Sequence, residues 1–174
     1  YMVSDNLIGF HHPGNDCLYP VGNLFPHLKP YHISDKYFER MIPYGYPLFE
    51  EMSSVSARKV AINGVFIEEC INKLKDYDFR KYSFDTAFNE VKVLYEKYKS
   101  GGLLVTEVET EDSVMERLNY EIIESKKILE EHLHTQIEFL CWPHGDSTET
   151  AHEVAINAGY LATTTGSKGT LRNK

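Results

Sequence analysis

Apolar residues recur at helical spacing along three segments of the chain. From about residue 56 to residue 75, and again over Phe84–Tyr98, apolar positions return every three or four residues, a pattern typical of helices with one buried face. The longest such segment runs from Glu111 to His134, with Thr110 as its N-cap. Its predicted inner face consists of Met115, Leu118, Ile122, Ser125, Leu129 and Leu133.

Short apolar runs in the first two thirds of the chain predict strands. Leu7–Phe10 is expected to be a buried strand leading into a loop that begins with His11, and 103–108 is a second candidate strand. Between them, residues 13–32 hold four of the seven prolines and are expected to be mostly irregular. A short helix is expected over 34–41.

The carboxyl-terminal third predicts a β-α-β unit. Ile137–Trp142 and Tyr160–Thr164 are short apolar runs, and between them lies a predicted helix over Ser147–Ala158. Asp146, with Glu149 three residues later, has the spacing of a capping box. A helix between two short apolar strands is typical of a parallel α/β fold, so we expect an α/β protein that forms a single domain over 1–174.

Composition and charge exclude some classes of partner. The formal net charge is −8 and no basic run occurs, so the chain lacks the positive surface that nucleic acid binding requires. No apolar stretch reaches the length of a membrane helix, so no integral membrane segment is expected. The three cysteines have no metal-ligand spacing, and a disulfide framework is not expected. The 13% of aromatic residues fits either an aromatic core or a sugar-binding surface.

One stretch carries a family resemblance. It is Phe139-Leu-Cys-Trp-Pro-His-Gly-Asp146, followed by a helix that closes with Ala158-Gly-Tyr160. This resembles the third motif of polysaccharide deacetylases, the NodB-like members of carbohydrate esterase family four. The segment Glu121–Glu131 is similar to the helix that those proteins place just upstream. The resemblance covers residues 110–165, about a third of the 174 residues.

The resemblance implies a fold and an activity. The fold would be a NodB-type (β/α) barrel, partial or with a largely helical insertion over 13–100, and with a family-like core over 103–165. The activity would be hydrolysis of N-acetyl groups on an amino-sugar polymer or oligosaccharide, with an N-acetylated glycan as partner and a divalent metal, zinc, as cofactor. Such glycans are met in the cell envelope, which would place the protein outside the cytoplasm.

The resemblance also assigns roles to the loop after the predicted strand. In the family, the amide that follows the loop proline helps to bind the oxyanion, and here Pro143 precedes His144. Trp142 would offer a flat apolar face on which a sugar ring stacks. Gly145 and Asp146 would complete the acetyl pocket. The sequence departs from the family in that His144 stands where an aromatic residue is usual, and no arginine precedes the loop.

The family's other motifs have no counterpart here. The sequence contains no Asp-Asp pair for the catalytic base and first metal ligand, and no histidine in 103–110, where the family places two further ligands. Either those parts precede Tyr1, in which case the chain is a fragment, or the metal site has been lost. An Asp-Asp-Gly upstream of Tyr1 in the full reading frame would decide between these alternatives.

The candidate metal ligands are His11, His12 and Asp16. Two imidazoles and a carboxylate can hold zinc with an open position for water, whose pKa the ion lowers towards about 7. Asp16 is also a candidate catalytic residue. Adjacent histidines on a strand point to opposite faces, so at most one of the pair would naturally reach the metal. The alternative is a Pro/Gly turn with ordinary histidines.

Two other interpretations of the chain compete with a deacetylase. One is a non-catalytic descendant of the fold that binds carbohydrate or a partner protein. The other is a helical structural module with an incidental β-α-β unit, which predicts that the indole of Trp142 is buried in the core. His152, on the helix after the loop, is expected to be exposed.

Overall fold

The structure is a computed structural model, and it describes residues 2–11, 43, 45–78, 81 and 83–164. The described residues divide into two compact units. Unit 1 takes its residues from 3–51 and 59–108, and unit 2 takes its residues from 52–58 and 109–174. The predicted core over 103–165 overlaps unit 2, but the residues up to Val108 belong to unit 1.

Unit 1 contains two small sheets and two helices. Its elements are β1 (Met2–Phe10), β2 (Pro47–Met52), β3 (Val60–Ile62), α1 (Gly64–Leu74), α2 (Phe84–Ser100) and β4 (Val105–Val108). Strand β1 pairs with β2, and β3 pairs with β4 in antiparallel orientation. Met2, the first residue of β1, and Met52, the last residue of β2, cluster with unit 2. Strand β1 and helix α2 confirm predicted elements, while the predicted helix over 34–41 lies outside the described residues.

The predicted helix over 56–75 is wrong in its first half. Residues 60–62 form strand β3, and helix α1 begins only at Gly64. Asn63 causes this boundary because its side chain accepts a hydrogen bond from the Val65 amide and so caps the helix. The same side chain donates to the carbonyl of Leu103, at 2.9 Å, just before β4. One polar residue therefore fixes both the end of a strand and the start of a helix.

The core of unit 1 lies where α1 and α2 pack against the strands. Phe66 and Cys70 of α1 and Val91 of α2 are completely buried, and Phe10 of β1 joins the same cluster. Burial, together with the neighbouring Glu69 carboxylate, raises the pKa of the Cys70 thiol to about 12. Cys70 is therefore a packing residue rather than a reactive thiol.

Unit 2 is built from a long interrupted helix and a β-α-β unit. Its elements are α3 (Glu111–Leu118), a π-helical turn (Asn119–Glu124), α4 (Ser125–Leu133), β5 (Phe139–Cys141), a 3-10 turn (Pro143–Gly145), α5 (Glu149–Asn157) and β6 (Ala162–Thr164). Strands β5 and β6 are parallel, so the predicted β-α-β unit is confirmed. The buried residues of this unit are Val55, Leu118, Ile122, Trp142, Ala151, Val154, Ala155 and Tyr160.

The π-helical turn changes which face of the long helix is buried. The Ser125 amide donates to the carbonyl of Tyr120, five residues earlier, so the turn holds one residue more than an α-helical turn. Leu129 and Leu133, which the helical pattern places on the inner face, are 47% and 59% exposed. Lys126 is buried instead. The helix itself is confirmed over Glu111–Leu133, but the predicted inner face is wrong at Met115, which is exposed, and again after the π-helical turn.

The buried Lys126 has partners for its charge. Its ammonium donates to Oε1 of Glu130 at 2.5 Å and to the carbonyl of Ile137 at 2.7 Å. The ring centroid of Tyr160 lies 5.1 Å from the nitrogen. The same Glu130 oxygen accepts from the Ile137 amide at 2.8 Å. These contacts connect α4 to the segment that leads into β5.

This carboxylate predicts a dependence of unit 2 stability on pH. The hydrogen bonds from the Lys126 ammonium and the Ile137 amide hold the pKa of Glu130 below its ordinary value. A carboxyl with a lowered pKa in the folded state stabilises the fold at neutral pH, and that contribution is lost as the pH falls through its folded-state pKa. We therefore expect Glu130→Gln to flatten the acidic side of the stability profile.

Chemical denaturation from neutral to acidic pH measures this effect. The exposed neighbour Glu131 gives the matched control, Glu131→Gln, which should leave the profile unchanged. Equal pH profiles for the Glu130 and Glu131 variants would contradict the expected role of Glu130.

The wider fold prediction stays open. Three two-stranded sheets occur in the described part of the chain, and none of them closes into a barrel. The NodB-type barrel therefore remains a prediction. Among the described residues, no helix combines the length and the apolar character needed to cross a bilayer.

Candidate functional site

The candidate site lies at the carboxyl ends of two parallel strands in unit 2. Leu140 of β5 is opposite Thr163 of β6, and Cys141 is opposite Thr164, the last residue of β6. Both strands therefore end at the same edge of the sheet. The chain leaves β5 there through a loop over 142–148, and α5 follows. Open parallel sheets place ligands beyond the carboxyl ends of their strands.

A single tight turn shapes this loop. The Gly145 amide donates to the carbonyl of Trp142 at 2.9 Å, and the Asp146 amide donates to that of Pro143 at 3.1 Å. Gly145 has a φ of +76°, a conformation that favours glycine. The amide of His144 precedes the first donor of the turn and therefore has no acceptor within it. Pro143 and Asp146 are exposed, so the turn is open to solvent.

Trp142 does not have the expected exposure. The indole is only 2% exposed and packs with the buried residues of unit 2. Its Nε1 has no hydrogen-bond partner among the described residues. The expected flat face for a sugar ring is therefore covered, because the indole fills the core beneath the turn. This burial is the outcome that the structural-module interpretation predicts.

The candidate metal ligands can be compared with the structure only at His11, because His12 and Asp16 lie outside the described residues. His11 is buried in unit 1, and its Nδ1 lies 3.4 Å from the carbonyl of Pro43. A carbonyl can only accept, so Nδ1 is the donor in this contact. Metal-binding histidines commonly use a backbone carbonyl in this way.

The described residues alone do not bring a metal site together. No group of three or more His, Cys, Asp or Glu side chains placed to hold an ion occurs within the described ranges. Zinc binding by His11, His12 and Asp16 therefore remains a prediction. His11 lies in unit 1, whereas the Pro143–Gly145 turn lies in unit 2.

A hydrogen-bonded trio that was not predicted from the sequence lies beside the loop. Ser147 Oγ lies 2.9 Å from Nε2 of His152, and Thr163 Oγ1 lies 3.3 Å from Nδ1 of the same ring. The imidazole is also edge-to-face with Trp142, with ring centroids 5.2 Å apart at an angle of 78°. His152 was expected to be exposed, but it is half-buried and bonded through both ring nitrogens.

The start of α5 explains this arrangement. Thr148, and not the predicted Asp146, caps the helix by accepting from the Ala151 amide at 3.1 Å. His152 then lies in the first turns of α5, and its own amide donates to the carbonyl of Thr148. Side chains of an α-helix lean towards its N-terminus, so this imidazole reaches back to Ser147 in the loop. A histidine four residues after a threonine N-cap is the sequence signal that could have indicated the contact.

No family model, curated protein or solved structure matches the chain.

Proposed function

We propose that this chain is a carbohydrate deacetylase that hydrolyses N-acetyl groups of an amino-sugar polymer or oligosaccharide. The supporting observation is the β5–α5–β6 unit, in which the Trp-Pro-His-Gly loop follows the carboxyl end of a parallel strand. Its sequence resembles the third motif of polysaccharide deacetylases, and its position is the one that α/β folds use for ligands. The bond broken would be the carbon–nitrogen bond of the acetamide.

The loop backbone would contribute by electrostatic stabilisation. The amide of His144 has no acceptor within the 3-10 turn, and Pro143 supplies no competing N–H beside it. Such an amide can donate to the oxyanion of a tetrahedral intermediate, an interaction typically worth about 3 kcal/mol. Gly145 and the exposed Asp146 would border the acetyl group.

The family resemblance also implies a metal ion. A divalent ion, zinc by this proposal, would polarise the acetyl carbonyl and lower the pKa of a bound water. The candidate ligands from the sequence are Asp16 and one or both of His11 and His12, and Asp16 is also the candidate catalytic carboxylate.

The proposal is tested by acetate release. Purified protein should release acetate from N-acetylated chitooligosaccharides, and a chelator should remove this activity. His144→Pro should lower kcat by about a hundredfold or more because it removes the amide N–H, whereas His144→Ala keeps that donor and is the matched control. Since proline at 144 restricts Pro143, circular dichroism should accompany the assay. Absence of both acetate release from any such glycan and bound metal by elemental analysis would contradict the proposal.

The burial of Trp142 favours a second candidate, a non-catalytic module in which the β-α-β unit serves packing. Isothermal titration with the same oligosaccharides separates the candidates. Binding without acetate release would indicate the non-catalytic, carbohydrate-binding descendant. Neither binding nor release would indicate the structural module.

A further inference from the structure

A second chemical arrangement lies next to the loop and uses other residues. We propose that Ser147 is a nucleophile activated by His152, so that unit 2 carries a metal-independent acyl-transfer site. Thr163 is the positioning residue of this site. The inference goes beyond the deacetylase proposal because it requires neither a metal nor His11, His12 or Asp16.

The geometry is that of a nucleophile, a base and an orienting group in series. The 2.9 Å between Ser147 Oγ and Nε2 of His152 is within the range in which a base can take a hydroxyl proton. With its proton on Nδ1, the ring donates to the Thr163 hydroxyl at 3.3 Å and accepts from Ser147 through Nε2. In this tautomer, Thr163 orients the imidazole for general-base chemistry.

The surroundings suit this chemistry. Ser147, His152 and Thr163 are all half-buried, so the trio is partly accessible from solvent. The indole of Trp142 packs edge-to-face with the imidazole and covers part of its surface. Helix α5 begins two residues after Ser147, and its first-turn amides lack acceptors within the helix.

The proposed step is acyl transfer from an ester. Ser147 Oγ attacks the carbonyl carbon and forms a carbon–oxygen bond while its proton passes to Nε2 of His152. The tetrahedral intermediate collapses, the bond to the leaving alcohol breaks, and the imidazolium returns the proton to that alcohol. Water then attacks the acyl-serine with His152 again as base, which releases a carboxylic acid and restores the Ser147 hydroxyl.

Exposed carboxylates near the site indicate which charge the substrate can carry. Asp146, Glu149 and Glu153 are exposed around the site, and the chain as a whole carries a net charge of −8. These carboxylates disfavour anionic substrates by like-charge repulsion. The substrate class is therefore a neutral or cationic acyl ester.

The experiment uses p-nitrophenyl acetate and a fluorophosphonate probe on the full chain in the presence of a chelator. We expect a burst of p-nitrophenol, with the acetyl group found by mass spectrometry on the peptide that contains Ser147, and phosphonate labelling of the same serine. Ser147→Ala should abolish both forms of labelling. The matched control, Ser113→Ala, removes an exposed serine hydroxyl of α3 and should change neither.

The supporting residues have distinguishable effects. His152→Gln should slow acylation about a hundredfold or more because the general base is lost. Thr163→Val should lower kcat for the ester with little change in KM, and Thr163→Ser should restore the rate because it returns the hydroxyl.

A thiol variant keeps the proposal testable if Ser147→Ala or His152→Gln fails to fold. In Ser147→Cys, the thiol beside His152 should react with iodoacetamide faster than the exposed Cys141. An equal or slower rate than Cys141 would overturn the proposal, as would acylation that persists undiminished in Ser147→Ala. The chelator separates this activity from deacetylation: acetate release from glycans should stop in its presence, while acylation of Ser147 should continue.

Discussion

Phe66→Ala is expected to lower the free energy of unfolding of unit 1 by about 3–5 kcal/mol. Phe66 is completely buried in α1, and its ring centroid lies 5.3 Å from that of Tyr98 and 6.3 Å from that of Phe49. Truncation removes apolar area from the core and leaves a cavity among rings that are held by two helices and a strand. Chemical denaturation followed by circular dichroism measures the loss.

Val93→Ala is the matched control for this change. Val93 lies on α2 and is 70% exposed, so its truncation should alter stability by no more than about 0.5 kcal/mol. Similar denaturation midpoints for the Phe66 and Val93 variants would show that Phe66 does not hold the core of unit 1 together.

Arg117→Ala is expected to destabilise unit 2 by about 3–5 kcal/mol. The guanidinium of Arg117 binds Glu109 through two nitrogens, at 2.9 and 2.6 Å, and both side chains are largely buried. It also donates to the carbonyls of Ser54 and Ala57, and so fixes the segment 52–58 to α3. Alanine leaves a buried carboxylate and two carbonyls without this donor.

An exposed ion pair in the same unit serves as the control for the buried Arg117–Glu109 pair. Arg58 and Glu111 also form an ion pair in unit 2, but their side chains are 47% and 74% exposed. Arg58→Ala should therefore cost at most about 1 kcal/mol. Arg117→Lys should fall between the two alanine variants because lysine keeps the charge but not the planar fork. Equal losses for Arg58→Ala and Arg117→Ala in urea denaturation would refute the special role of Arg117.

The sequence predicts a helix well where apolar residues recur at helical spacing along the segment. Helix α2 and the long helix from Glu111 follow from apolar spacing, and the predicted cap Thr110 accepts from the first turn of the long helix. The structure adds Ser83 as the cap of α2. The burial pattern fails after the π-helical turn, since no spacing rule indicates one extra residue in a turn. After this turn, the buried residue is Lys126 and not the predicted Leu129.

Short strands were harder to predict because their partners are distant in the chain. Residues 60–62 continue the apolar spacing of α1, and only pairing with β4, more than forty residues later, makes them a strand. Strand β2 follows a turn at Gly45, whose φ is +83°. A Cβ at that glycine would lie 2.9 Å from the Cβ of Leu74, a contact that sequence spacing does not reveal.

The loop after β5 was predicted, whereas the side chains that the structure brings together beside it were not. The loop after β5 follows from the apolar run, the proline and the glycine. The Ser147–His152–Thr163 trio joins a loop, a helix and a strand, and it depends on Thr148 rather than Asp146 being the cap. The burial of Trp142 likewise depends on how α5 and the long helix pack, and a local motif does not specify that packing.

Trp142 is the chain's single tryptophan, and it is buried in unit 2. Its fluorescence therefore comes from one known place and reports the polarity around the core of that unit. The emission should shift to longer wavelength when unit 2 opens. The molecule thus contains its own optical probe, at the position where a sugar-stacking face was expected.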